Sequence, residues 1–202
     1  MLKNLEKYQI LLGSKSPRRR ELLQMLHIPF TVVSIPDAEE IYPDSLAPMD
    51  VPQYLSCVKA DAYLKRLGND ELIITADTLV IKDDKIFGKP HSEEEACSML
   101  SELSGAVHKV ATGVTVSTHD MRESFTSVTD VKFCDLTPEE IRYYVSHFSP
   151  LDKAGAYGIQ GFGALLVAAI KGDYFNVMGL PVCALGLHLR EFGVNCITGA
   201  GK

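Results

Sequence analysis

The stretch Leu72-Ile73-Ile74-Thr75-Ala76-Asp77-Thr78-Leu79-Val80-Ile81 decides the fold. It is apolar at odd and even positions alike, so both faces of the strand it forms must be covered. That makes it a central strand, and the strands and helices alternating around it make the class α/β. Asp77 is the anomaly. An unpaired carboxylate in such a strand costs on the order of several kcal/mol. Asp77 must therefore cap a strand end, meet a cation or hold a metal. Adjacent strand residues face opposite ways. If Asp77 and Thr78 serve one site, the strand is expected to end or bulge there.

Towards the N-terminus, Tyr8 to Gly13 holds the run Ile10-Leu11-Leu12 and reads as a buried strand entering a tight turn. Ser16-Pro17 opens a helix, with proline in the first turn where its missing N–H is harmless. Phe30 to Ile35 reads as a second strand. Pro36 to Asp50 holds five carboxylates and three prolines, which marks a loop. A helix follows from about 51 to 67, its apolar stripe running through Val51, Tyr54, Leu55, Val58 and Ala62. Lys59 lies on the edge of that stripe, where it must snorkel or meet a buried anion.

Towards the C-terminus, Ser92-Glu93-Glu94-Glu95 and Thr137-Pro138-Glu139-Glu140 read as capping boxes that open two helices. The second helix has the stripe Ile141, Tyr144, Val145 and Phe148. Between them, Val107 to Ser117 and Arg122 to Phe133 form two strands joined by a His119-Asp120 turn. Ser149 to Gly163 is a glycine-rich functional loop in which Tyr157 and Ile159 are poor residues to leave in water. Leu165 to Ile170 is a strand. Gly179-Leu180-Pro181 opens a last helix with Val182, Leu185, Leu189 and Phe192 on one face, and a frayed tail follows after about residue 195. Helices alternate with strands, hairpins occur too, and no linker interrupts the pattern. The expectation is one domain over residues 1–202 with a mixed sheet.

Composition sets outer limits. The 202 residues carry 20 Lys and Arg against 26 Asp and Glu, a net charge of −6. With 46% hydrophobic residues, disorder is excluded as the main state. An acidic chain disfavours binding to a nucleic-acid polymer. The five cysteines contain no CxxC pair and are odd in number, which fits thiols in a reducing cytoplasm. The strongest apolar run, Ala164 to Ile170, is far too short to span a bilayer.

Cations are nonetheless gathered in one place. Lys15, Arg18, Arg19 and Arg20 fall within six residues at a strand-to-helix junction. They oppose the helix dipole, so a bound polyanion is the reason to keep them there; a solvated basic turn is the plain alternative. Other motifs fail. Thr198-Gly199-Ala200-Gly201-Lys202 lacks the Ser/Thr and helix of a P-loop. Gly158, Gly161 and Gly163 do not fit a dinucleotide fingerprint. The histidines show no zinc spacing, and no GxSxG is present.

Taken in order, the segments from Leu12-Gly13-Ser14-Lys15-Ser16-Pro17-Arg18-Arg19 through Glu39-Glu40, Lys59-Ala60, Ala76-Asp77-Thr78-Leu79-Val80, Gly88-Lys89-Pro90, His108 to Gly113, Asp152 to Gly161 and Gly172 to Pro181 resemble the Maf family of nucleotide pyrophosphatases. The resemblance runs from Leu12 to about Leu189. It implies an elongated mixed twisted sheet flanked by helices, with two lobes around a deep cleft, as in the inosine-triphosphate pyrophosphatases. It implies hydrolysis of a nucleoside triphosphate between the α and β phosphates, with Mg²⁺ or Mn²⁺ as cofactor, and members of the family are often homodimers. Arg18, Thr78 and Gln160 match the positions that mark the branch acting on dTTP and UTP. On that basis Asp77 is the expected general base and Glu40 and Asp77 the metal ligands. Arg18, Arg19, Lys59 and Lys89 are expected to neutralise phosphate charge, with Ser14 bonding phosphate. A Gln amide both donates and accepts, which suits a pyrimidine edge. Two rival readings share these residues: a specificity for deaminated purines or methylated GTP, and a nucleotide-binding regulator of septation.

Overall fold

The computed structural model describes residues 2–36 and 41–193. In chain order it contains β1 (Gln9–Gly13), α1 (Pro17–Gln24), β2 (Phe30–Val33), α2 (Val51–Leu64), β3 (Glu71–Lys82), β4 (Lys85–Phe87), α3 (Glu93–Leu103), β5 (Val107–Ser117), β6 (Arg122–Phe133), α4 (Pro138–Phe148), β7 (Val167–Lys171), α5 (Tyr174–Met178) and α6 (Val182–Glu191). Short 3₁₀ turns fill the segment between α4 and β7.

The strands form one mixed sheet in the order β2-β1-β3-β5-β6-β7, with β4 added to β3. β1 runs parallel to β2 and β3; the other pairs are antiparallel. β3 is the central strand its composition demanded. β5 covers one of its edges from Ile73 to Ile81. On the other edge β1 stops at Gly13, opposite Thr75, and β4 begins only at Val80. Residues 76–79 thus have a strand on one side and a gap on the other.

The alternation of β3 sorts the helices. Leu72, Ile74 and Ala76 pack into one core with Leu22, Leu23 and the α6 residues Leu185 and Leu189. Val80, on the same face, enters a second core with Leu100, Leu103, Ile141 and Val145 from α3 and α4. Ile73 faces the opposite way, towards α2, with Leu11, Leu67 and Tyr63. Two cores therefore sit along one sheet, and the gap at 76–79 lies between them. This is the two-lobed arrangement expected from the sequence.

Several local readings need correction. The strand neither ends nor bulges at Asp77 and Thr78, since pairing with Gly113 and Thr112 continues in register. The α2 stripe is rotated: Tyr54 is exposed, while Leu55, Ser56 and Ala60 are buried. Ser56 tolerates burial because its hydroxyl bonds Thr115 Oγ1 at 2.7 Å and Gln53 O at 2.7 Å. Phe148 is exposed too. Only one capping box is complete. Thr137 and Glu140 bond reciprocally, whereas Glu95 accepts from His91 N–H rather than from Ser92. The strand expected from Leu165 starts at Val167, because Gly161–Leu166 is a 3₁₀ turn. The frayed tail after residue 195 and the rejected P-loop fragment lie outside the described residues.

Candidate active site

The gap opens into a cavity of about 880 Å³. Its floor is the bare edge of β3. Asp77 faces α2 and Thr78 faces α1, yet both line the cavity, because it wraps around the uncovered edge and reaches both faces. No bulge is needed.

On the α2 side, Asp77 is buried and paired with Lys59, whose Nζ donates to Oδ1. Lys59 therefore meets an anion rather than snorkelling. Gly113 makes this contact geometrically accessible. It sits directly across the ladder from Asp77, and a Cβ there would lie 2.2 Å from Gln53 N and Pro52 C. Without a side chain at 113, the start of α2 settles onto β5. Thr75 Oγ1 donates to Ser56 O at 2.7 Å, which fixes the same helix to β3.

On the α1 side, Arg19 Nη2 donates to Thr78 Oγ1 at 2.9 Å and Nε donates to Gly179 O at 2.7 Å. The chain of bonds continues through Thr112, which contacts Thr78 Oγ1 at 3.0 Å and donates to Asn176 O at 3.1 Å. Arg19 is thus braced by α5 and the sheet. Ser14 Oγ accepts Ser16 N–H at 3.2 Å, and Ser16 caps α1 by accepting Arg19 N–H. These bonds shape the turn expected to face phosphate.

The glycine-rich segment forms the opposite wall. Arg18 Nη1 donates to Asp152 Oδ2 at 3.2 Å, and Lys153 pairs with the same carboxylate. Burial pushes the Asp152 carboxyl up, but Lys153 and Arg18 outweigh it and hold it below the usual range. Gly155, at φ +66°, donates its N–H to Gly88 O at 3.0 Å, which ties this wall to the turn carrying Lys89. Tyr157 and Ile159 are buried, as expected. Tyr157 Oη bonds His108 Nε2 at 2.7 Å. Burial, with a contribution from the Lys82 charge, lowers His108 to about 4, so the ring stays neutral.

The cavity gathers Ser14, Arg18, Arg19, Lys59, Asp77, Thr78, Lys89 and Gln160, the site residues read from the sequence, except Glu40. Glu40 and Glu39 lie outside the described residues. Arg20 is exposed and lines no part of the cavity. Lys15, read from the sequence as part of the basic cluster, lines the cavity as well. Sequence reasoning assigned no site role to Lys153, which completes the cationic lining, nor to Phe148 and Phe162, which also line the cavity. Lys153 adjoins Asp152 in the glycine-rich stretch; Phe148 was masked by helical spacing that placed it in the core.

Among the described lining residues six cations face three carboxylates, Glu21, Asp77 and Asp152. No group of three His, Cys, Asp or Glu side chains gathers among the described residues. A closed protein cage for a metal is therefore not built from them. One carboxylate beside a polyanion pocket does suit a hard cation such as Mg²⁺, which takes one or two carboxylates and completes its shell with phosphates and water.

Residues 9–192 match the family described as Maf-like protein. The chain belongs to the Maf family. Among its Maf relatives, the dTTP/UTP pyrophosphatase of Phocaeicola vulgatus is 51% identical over 192 residues, covering 95% of this chain and 100% of that one. The dTTP/UTP pyrophosphatase of Bacillus velezensis is 45% identical over 186 residues, covering 92% and 97%. Among solved structures, a HAM1 protein from Coxiella burnetii superposes on this Maf chain with a TM-score of 0.52 at 14% identity, covering 91% of this chain and 99% of that one. That likeness concerns the fold alone.

Proposed function

We propose that this protein hydrolyses dTTP and UTP between the α and β phosphates, releasing the monophosphate and pyrophosphate as a housecleaning activity. The observation that carries the reading is the convergence of Arg18, Thr78 and Gln160 on the cavity that holds the Asp77–Lys59 pair. The relatives named dTTP/UTP pyrophosphatase support it along nearly the whole chain.

Asp77 takes a proton from the attacking water as a P–O bond forms at the α phosphorus. The bond to the bridging oxygen breaks, and its electron pair leaves with pyrophosphate. Lys59 fixes the orientation of the Asp77 carboxylate. Arg18, Arg19, Lys59 and Lys89 counter the charge that develops on the leaving group. Ser14 and the turn amides hold phosphate oxygens. Asp77, with Glu40, would hold Mg²⁺ or Mn²⁺, which when bound supplies further neutralisation of phosphate charge. The reading extends to a cytoplasmic homodimer that acts on free nucleotides and binds no nucleic-acid polymer.

A nucleotide panel assayed for pyrophosphate release with Mg²⁺ and with Mn²⁺ tests the proposal. Preferential turnover of dTTP and UTP is expected. A preference for deaminated purines or methylated GTP overturns the specificity, and binding without turnover in Mn²⁺ overturns the enzyme in favour of the regulator. Asp77→Asn is expected to abolish turnover while the circular dichroism spectrum stays native; full activity in that variant removes Asp77 from the mechanism.

A further inference from the structure

The tip of the glycine-rich loop carries an exposed aromatic side chain, Phe162, beside Gln160. Phe162 is 36% exposed and Phe148 is 42% exposed, and both line the cavity. Their rings stack, with centroids 4.7 Å apart and planes 19° apart. Buried Tyr144 backs the pair, 5.6 Å and 26° from Phe148. Stacked rings left open at the mouth of a cationic cavity are a surface in want of a flat apolar partner.

The loop is built to hold that surface still. Gly163 lies so close to Gly158 that a Cβ would come 1.8 Å from the Gly158 carbonyl oxygen. The Gly158 N–H donates to Tyr144 Oη at 3.2 Å. The loop is thus pinched shut at its base, and Gly161, at φ +60°, turns its tip. Gln160 and Phe162 flank that turn, and both line the same cavity. One side chain offers an amide and the other a ring face. Tyr157, the remaining aromatic ring of that wall, is buried with its hydroxyl held by His108.

We propose that Phe162, backed by Phe148, is the platform on which the pyrimidine ring of the substrate stacks while Gln160 addresses its edge. The inference rests on the reading of the site as a pyrimidine nucleoside triphosphate pyrophosphatase. A nucleotide needs a cationic end for its phosphates and an apolar face for its base, and the cavity carries both.

The sequence contains no tryptophan, so Phe162→Trp places a single indole at the tip, excited selectively over the tyrosines at its red edge. UMP and dTMP are expected to quench its emission, and inorganic tripolyphosphate is not. Phe162→Ala is expected to raise KM for dTTP and UTP roughly 10-fold or more, with kcat held within about threefold. Inhibition by tripolyphosphate should be unchanged, and Phe162→Tyr should restore KM. An unchanged KM in Phe162→Ala overturns the platform, as does weakened inhibition by tripolyphosphate, which would mean a distorted phosphate site. Loss of a dimer in sedimentation with KM unchanged assigns the rings to a contact between copies and also overturns it. If the unsubstituted protein hydrolyses neither dTTP nor UTP, the proposed function fails; quenching of the tryptophan by UMP but not tripolyphosphate then decides the platform by itself.

Discussion

Lys59 reaches Asp77 from a helix whose hydropathy directs a different face inward. Asp77 was legible alone, because a carboxylate inside an apolar strand demands a partner. Its partner was not, since the pairing depends on the close seating of α2 against Gly113. Lys59→Ala separates a structural pair from a functional one. Removing one member of a nearly buried pair costs about 3 kcal/mol, the low end for a buried pair, which urea unfolding will read. At temperatures where the variant stays folded, kcat is expected to fall about 100-fold. Unchanged kinetics would leave the pair a purely structural one. His108 carries a pH prediction. Its folded value of about 4 lies below the ordinary 6.5, so the unfolded chain binds the extra proton between those values. Stability is therefore retained above pH 6.5 and lost as pH falls towards 4, by about 3 kcal/mol in full. Denaturant titrations at stepped pH should show a shallower acid slope in His108→Gln than in the native protein.

Strands and capped helices were the elements most readable in the sequence. The hairpin of β5 and β6 has the limits expected from its alternation and turn. β4 escaped notice because its turn, Asp83-Asp84, contains no glycine. Both residues nevertheless sit at positive φ, 50° and 62°, the conformation of a tight hairpin that glycine enters more cheaply. Asp84→Gly relieves the left-handed strain but loosens the unfolded chain, so a net stabilisation of about 0.5 kcal/mol is expected, measured by thermal unfolding. α5 escaped for a different reason: five residues are too few to display a helical period. At Gly113 the opposite outcome is expected. Gly113→Ala forces the start of α2 off β5 and should cost about 1–3 kcal/mol. Since α2 carries Lys59, kcat should drop further than the folded fraction does, and comparing the two in one preparation checks this.

At the scale of the molecule, two cores share one sheet and the cavity lies between them. A net charge of −6 disguised this arrangement, because an average over the chain hides six cations drawn around one space. A ligand that engages both walls stabilises the whole. A non-hydrolysable dTTP analogue with Mg²⁺, at about 100 times its Kd, should add about 2.7 kcal/mol. For a chain of this length that raises Tm by roughly 5–10 °C, which scanning calorimetry reads directly; an unmoved Tm would mean that the analogue does not bind the native state. The uncovered edge of β3 has one more consequence. Where β1 has ended and β4 has not begun, main-chain amides that point away from β5 have no neighbouring strand to bond among the described residues. In deuterated water they should exchange quickly, a brief fast interval within a central strand that is otherwise protected. Nucleotide seated in the gap should shield them, so the same few amides would report occupancy without any label or turnover.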